Sequence, residues 1–282
     1  LGIGDDAAVI DIGNNTVQLV STDILAEHIH FDLSFTPLKH LGYKAVAVNV
    51  SDIAAMNAVA QQITVGLALS SRFTVEAIDE LYEGIKLACE DYKVDLIGGD
   101  TTSSASGLVL SITVLGTAPK NKISLRNGAK TGDVICVTGD LGAAYLGLKI
   151  LQREKEVFKD NPNVQPELDG FEYPIRRQLK PAARVDLVHE LNDLGIVPNA
   201  MIDISDGLCS EILHICKQSQ VGALISEDNL PIETGVYNSF IELLNKEDFT
   251  DIFTLNHDTL FEYLLNKNGL QYSDGFSTEN SS

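Results

Sequence analysis

The chain has 282 residues, 44% hydrophobic and 21% charged, an ordinary globular composition with room for two domains. Lys and Arg number 20 against 40 Asp and Glu, and the net charge of −20 excludes binding to nucleic acid or an anionic membrane by bulk electrostatics. A free nucleotide would be repelled as well, unless a cation masked its charge.

The chain opens at Leu1, without Met, on a glycine-rich bend (Gly2, Gly4) before Asp5-Asp6; its natural start is expected upstream. Period-two alternation puts Val17, Leu19, Ser21 and Asp23 on one face of a strand. Thr36-Pro37 reads as a cap and first-turn proline of a helix running to about Ala60. Gln62 to Leu69 alternates again, and Thr74 caps an amphipathic helix to Tyr92. Val94 to Ile97 reads as a short buried strand ended by Gly98-Gly99, and Leu108 to Gly116 as another strand. The apolar pattern breaks over Pro119 to Thr131, which divides the chain into 1–118 and 119–282.

In the second part, a helix is expected after Gly139-Asp140-Leu141-Gly142 to about Leu151, then a charged surface excursion over 153–177. A helix from Pro181 to Leu194, a strand from Met201 to Ile204 and a helix from Ser205-Asp206-Gly207 to about Gln218 follow. Beyond about residue 235 the pattern weakens, and Ser273 to Ser282 is a polar tail. Cys89, Cys136, Cys209 and Cys216 form no CxxC pair and read as reduced, buried thiols of a cytoplasmic protein. No run approaches the ~18 apolar residues of a membrane span.

Seven aspartates lie in five motifs beside apolar runs: Asp5-Asp6, Asp23, Asp52, Asp100, and Asp203 with Asp206. Carboxylates held against apolar segments are costly unless paired or bound to a cation, and basic neighbours are few. Oxygen donors without Cys or His suit Mg²⁺ rather than zinc, which suggests a metal–polyphosphate site. Asn49 and Asp52 share a face of an otherwise apolar helix and read as a ligand pair, against a polar stripe reaching solvent. Ser205 or Asp206 could equally cap the following helix. Gly98-Gly99 would let a ligand approach the backbone closely, or form a plain glycine turn. A P-loop is absent: Gly142 to Gly147 is followed by Leu148-Lys149, with the lysine misplaced and no Ser/Thr.

In order along the chain, Leu1-Gly-Ile-Gly-Asp-Asp-Ala-Ala-Val9, Ser21-Thr-Asp-Ile-Leu25, His30-Phe31, Gly42-Tyr-Lys-Ala45 and Asn49-Val-Ser-Asp-Ile-Ala-Ala-Met56 resemble the thiamine-monophosphate kinase family. Leu96-Ile-Gly-Gly-Asp-Thr-Thr102, Arg126-Asn-Gly-Ala-Lys-Thr-Gly-Asp133, Val137-Thr-Gly139 and Ile204-Ser-Asp-Gly-Leu208 continue the resemblance, which covers residues 1 to about 232. It implies an α/β, two-domain fold like aminoimidazole ribonucleotide synthetase, whose N-terminal domains pair in a homodimer and form the nucleotide site there. It implies transfer of the ATP γ-phosphate to thiamine monophosphate, with Mg²⁺ ligands at Asp6, Ser21, Thr22, Asp23, Asp52, Asp100, Asp203 and Asp206. ATP contacts are implied at Tyr82, Gly99, Asp100, Arg126 and Ser205, and a substrate contact at His30. No general base is expected.

The pattern departs at the C-terminus. Where the family carries Gly-Gly-Glu-Asp-Tyr-Glu-Leu-Leu-Phe-Thr, this chain has Asn245-Lys-Glu-Asp-Phe-Thr-Asp-Ile-Phe-Thr254, which puts Glu247 at the substrate-touching Glu. A sister ATP-dependent synthetase and a non-catalytic nucleotide-binding paralogue are the alternative readings.

Overall fold

The computed structural model describes residues 3–225, so Glu247 and its surrounding motif lie outside the described residues. Strands β1 (Ala8–Gly13), β2 (Thr16–Ala26), β3 (Val59–Leu69), β4 (Asp95–Ser103) and β5 (Leu108–Pro119) form one sheet in the order β1-β2-β5-β3-β4. Only β3 and β4 run parallel, and helix α2 (Val75–Tyr92) makes their crossover. Helix α1 (Leu38–Ala55) lies against the sheet and α2 packs on α1. The remaining α-helices of the described residues all follow the sheet: α3 (Ala143–Asp160), α4 (Glu172–Leu179), α5 (Val185–Asp193) and α6 (Leu208–Ser219).

Alternation explains the sheet. Val17, Leu19 and Leu25 of β2, Ile63, Val65 and Leu67 of β3, and Leu108, Leu110, Ile112 and Val114 of β5 are buried under α1. Their neighbours point the other way, and on β2, β5 and β3 that outer face carries Val20, Thr22, Ile24, Thr64, Gly66, Ser111, Thr113 and Leu115, while Asp95 and Asp100 of the edge strand β4 share it. None of those eight is fully buried.

Helices α1 and α2 approach at glycine. A Cβ on Gly84 would lie 1.9 Å from the Lys39 carbonyl oxygen, and one on Gly42 would lie 2.1 Å from that of Leu81. Because the obstacle is backbone, Gly84→Ala is expected to force the helices apart and cost about 3 kcal/mol or more. Thermal unfolding checks this: a melting temperature within about 2 °C of the parent would show that the crossing yields.

Several sequence expectations are corrected. Pro37 is the N-cap residue of α1 rather than its first helical residue, and no side chain caps there. The preceding turn is closed instead by the N–H groups of Phe35 and Thr36 on the Asp32 carbonyl. The helix stops at Ala55, not Ala60, because Asn57 turns left-handed (φ 57°) and donates its side chain to the Lys122 carbonyl, 2.8 Å away. Thr74 does cap α2, accepting the Ala77 N–H at 3.3 Å.

Strand β4 runs through the two glycines to Ser103 and is exposed along its length, since an edge strand has a neighbour on one side only. Helix α3 extends through most of the expected excursion's first half. Glu154, buried and paired with Arg153, accepts the Glu167 N–H and draws the following loop back onto the helix. α5 begins at Val185 rather than Pro181. Met201 to Ile204 forms no strand among the described residues, where nothing pairs with it. None of the four cysteines is disulfide-bonded, but Cys136 is exposed and the others only half-buried. No described helix is long and apolar enough to cross a membrane.

A candidate metal and phosphate centre

The buried stripe of β2 continues from Val17 and Leu19 into the half-buried Ser21 and Asp23, beside the middle of α1. Asn49 joins the two elements. Fully buried, it donates through Nδ2 to the Ala45 carbonyl at 2.9 Å and accepts the Asp23 N–H on Oδ1 at 3.0 Å. Both ends of the amide are thus engaged, and Asn49 is a bracket between helix and strand rather than the ligand read from its sequence.

One turn further along, the Ser21 hydroxyl donates to the Asp52 carboxylate at 2.5 Å, and Ser51 donates to Asp203 at 2.8 Å. Asp6, Asp52 and Asp203 each offer a carboxylate oxygen, and the three oxygens lie within 4.8 Å of one another. Arg126 pairs with Asp6, Nε to Oδ2 at 3.2 Å and Nη2 to Oδ1, while its backbone N–H reaches Asp5 at 3.2 Å. Five stretches of chain therefore meet here: residues 5–6, β2, α1, Arg126 and Asp203.

The electrostatics are those of crowded carboxylates. Burial, opposed by the Ser21 hydroxyl and reinforced by Asp23, Asp203 and Asp6, pushes Asp52 up to about 8. Burial, opposed by Ser51 and reinforced by Asp6 and Glu211, pushes Asp203 up to about 6. Burial also raises Asp5 against the Arg126 N–H, and raises Asp23 against the nearby His30. One guanidinium does not neutralise this set, and a cation with hard-oxygen preference would. The donors (three carboxylates flanked by two hydroxyls, with no Cys or His) fit Mg²⁺.

Other residues singled out from the sequence lie elsewhere. Thr22 is on the outer face of the sheet, its hydroxyl 2.8 Å from that of Thr113, so its side chain is turned away from the carboxylates. Tyr82, Gly99 and Asp100 line one groove of about 470 Å³ along β4, together with Leu96 to Gly98 and Thr101. Asp23 pairs with Ile112, Ile112 with Val65 and Val65 with Gly99, so the row from Asp23 to Gly99 crosses three strand spacings. That is roughly 14 Å, too far for Asp100 and Asp23 of one chain to share an ion with ligands at ~2.1 Å. Gly99 is required by the sheet itself, because a Cβ there would lie 1.9 Å from the Val65 carbonyl oxygen, whereas one on Gly98 would meet open space.

Ser205 and Asp206 are exposed and cap nothing. The N-cap of α6 is Gly207, and the buried Glu211 accepts the Asp206 N–H at 3.1 Å and the Ser205 hydroxyl at 3.4 Å. His30, exposed, accepts the Ala26 N–H on Nδ1 at 3.0 Å. It lines a cleft of about 480 Å³ between residues 28–36, Lys44, α3 and the end of α4. Ser51 and Glu211 were not read as site residues. Ser51 was visible as the polar residue between Asn49 and Asp52, but a single Glu in an amphipathic helix gives no signal.

Comparison with known proteins converges on one group. Residues 4–118 match the family described as AIR synthase related protein, N-terminal domain. The thiamine-monophosphate kinase of Bacillus subtilis is 40% identical over 237 residues, 84% of this chain and 70% of that protein. The solved structure of AaThiL complexed with AMPPCP and TMP superposes with a TM-score of 0.76 at 32% identity, covering 87% of this chain and 74% of that one. Hydrogenase maturation protein HypE in complex with ATP is similar in fold alone, at 20% identity and a TM-score of 0.63 over 84% of this chain and 67% of its own.

Proposed function

Because the chain belongs to the thiamine-monophosphate kinase family, we infer that it transfers a phosphoryl group from ATP to thiamine monophosphate, giving thiamine diphosphate. The observation that carries the chemistry is the convergence of Asp6, Asp52 and Asp203 from three distant segments. The acceptor is a phosphate whose second pKa is about 6, so it is largely ionised at neutral pH and needs no general base. The difficulty is the mutual repulsion of two polyanions.

Asp6, Asp52 and Asp203 would hold Mg²⁺ here, with Ser21 and Ser51 orienting two of the carboxylates and Asp23 at the margin. Bound Mg²⁺ supplies charge neutralisation and in-line alignment of the two phosphates. Arg126 steadies the ATP phosphates from the edge of the cluster, and Ser205 and Asp206 extend the same side. His30 contacts the organic part of thiamine monophosphate. Asn49 keeps strand and helix in register so that Asp23 and Asp52 stay together.

Tyr82, Gly99 and Asp100 belong to the nucleotide site of a homodimer, since one chain holds them too far from the carboxylates. The outer face of the sheet, uncharged over β2, β5 and β3 and bordered by Asp100 on β4, is the surface we assign to that pairing. It goes with a division of the chain into a nucleotide-binding and dimerisation unit, 1–118, and a second α/β unit from 119 to 282. Reduced, half-exposed thiols agree with a cytoplasmic enzyme.

The test is turnover with purified protein, ATP, Mg²⁺ and thiamine monophosphate. ADP formation is expected to depend on the acceptor, with thiamine diphosphate accumulating in equal amount. ATP binding with no turnover would instead make the chain a non-catalytic paralogue. Turnover only with another acceptor would make it a sister synthetase.

A further inference from the structure

Three segments of the site are far apart in sequence, and one face of α6 touches all of them. Glu211, Gln218 and Ser219 stand seven and eight residues apart, hence on one side of that helix. Near the start of α6, Glu211 is 4% exposed and takes the Asp206 N–H and the Ser205 hydroxyl on one carboxylate oxygen. At its end, the Ser219 hydroxyl donates to the Arg126 carbonyl at 2.8 Å and accepts the Ala129 N–H at 3.1 Å. Ser219 thereby clamps both sides of the short turn Arg126–Gly128. Gln218 donates to the Gly4 carbonyl at 2.5 Å, directly ahead of Asp5-Asp6. The turn has no slack on its other side, because a Cβ on Gly128 would lie 1.9 Å from the Asn199 carbonyl oxygen.

We propose that α6 is a positioning element of the phosphoryl-transfer site: through Ser219, Gln218 and Glu211 it sets Arg126, the Asp5-Asp6 segment and the Ser205-Asp206 turn in one register. None of the three side chains is assigned to substrate or metal; each acts through a residue that is. Ser219 is the most informative. It bonds only backbone at both ends of a turn whose one long side chain points into the carboxylate cluster. Glu211 holds the turn before its own helix through the Asp206 N–H and the Ser205 hydroxyl. The bland alternative is that these are ordinary tertiary hydrogen bonds contributing to stability alone. The proposal rests on the reading of Arg126 as a nucleotide contact, and a double-mutant cycle separates the two.

Binding of a non-hydrolysable ATP analogue with Mg²⁺ is measured by calorimetry on the full chain and on Ser219→Ala, Arg126→Met and the double variant. Ser219→Ala is expected to weaken binding roughly tenfold, the loss of about two hydrogen bonds' worth of placement. Arg126→Met should weaken it at least as much. In the Arg126→Met background, Ser219→Ala should cost nothing further, because no guanidinium remains to be placed. Equal losses in both backgrounds, or parental binding by Ser219→Ala alone, would overturn the positioning role. Parental binding by Arg126→Met would overturn the Arg126 assignment itself and the proposal with it. Ser219→Thr keeps the hydroxyl and should restore affinity. Should Ser219→Ala fail to fold, Glu211 gives the second reading: Gln retains the acceptor and should bind far better than Ala, and equal binding by the two would sink the proposal.

Discussion

Asp52→Asn and Asp203→Asn each lower kcat by on the order of a hundred- to a thousandfold, yet both make the protein more stable in the presence of EDTA. The loss follows from the geometry. Each carboxylate lies within 4.8 Å of its two neighbours and receives one serine hydroxyl, so an amide removes a ligand charge where two polyanions must meet. The gain in stability follows from the same crowding. Asp52 has its folded-state pKa pushed from 3.8 up to about 8, chiefly by burial.

The sign follows from proton linkage: between those two values the folded state binds the proton that the unfolded state has released. The penalty is absent below the unfolded pKa, grows by about 1.4 kcal/mol per pH unit through the window, and is complete above about 8. Parent protein in EDTA should therefore lose stability as pH rises from 5 to about 8, and Asp52→Asn should flatten that slope. Chemical denaturation across pH checks it. An Asn variant with near-parent turnover at saturating Mg²⁺ sinks the assignment of the ligand, and an unchanged pH slope sinks the account of its environment.

Much of the sheet layer was legible because each element obeys a single local rule. Alternation over Val17, Leu19, Ser21 and Asp23 puts the last two on the inner face, and it equally implies that Thr22 faces out. The family resemblance carried Thr22 with its neighbours regardless, and the strand's period separates them. Thr74 could be read as a cap because nothing else competes for the Ala77 N–H. At Thr36 the same rule failed, since Asp32 had already closed the turn through backbone.

Burial was harder to read than periodicity. Leu96 and Ile97 look like core, but the apolar run is an edge strand whose only ladder partner among the described residues is β3. Asn49 shows a deeper limit. A polar residue in an apolar helix face reads identically whether it binds a ligand or bridges to the backbone of a neighbouring strand, and only the partner, here the Asp23 N–H, distinguishes the two. Glu211 was invisible for a related reason: its partners lie in the turn before its own helix.

The outer face of the sheet carries the second large expectation. Thr113→Lys should convert a dimer into a monomer at micromolar concentration, with loss of turnover. Thr113 sits on the central strand β5, between Thr22 of β2 and Thr64 of β3, where the outward side chains of Val20, Ile24, Ser111 and Leu115 around it carry no charge in a chain that is 21% charged. A lysine buried there without a partner costs several kcal/mol, and ~4 kcal/mol is about a thousandfold in dissociation constant. The fold should survive, because Thr113 points away from the core under α1.

Turnover should be lost with the dimer if, as proposed, Asp100 serves carboxylates of the partner subunit rather than those of its own chain, across four strands of the sheet. Complementation tests this directly. Asp52→Asn and Asp100→Asn are each expected to be inactive alone. Mixed and re-associated, half of the dimers carry one of each, and in those one site has both defects while the other has neither. Roughly a quarter of parental turnover should return. Light scattering that shows a monomeric parent with ATP and Mg²⁺, or a mixture that stays inactive while heterodimers form, would leave Asp100 without a role in the site and return the β4 groove to plain surface.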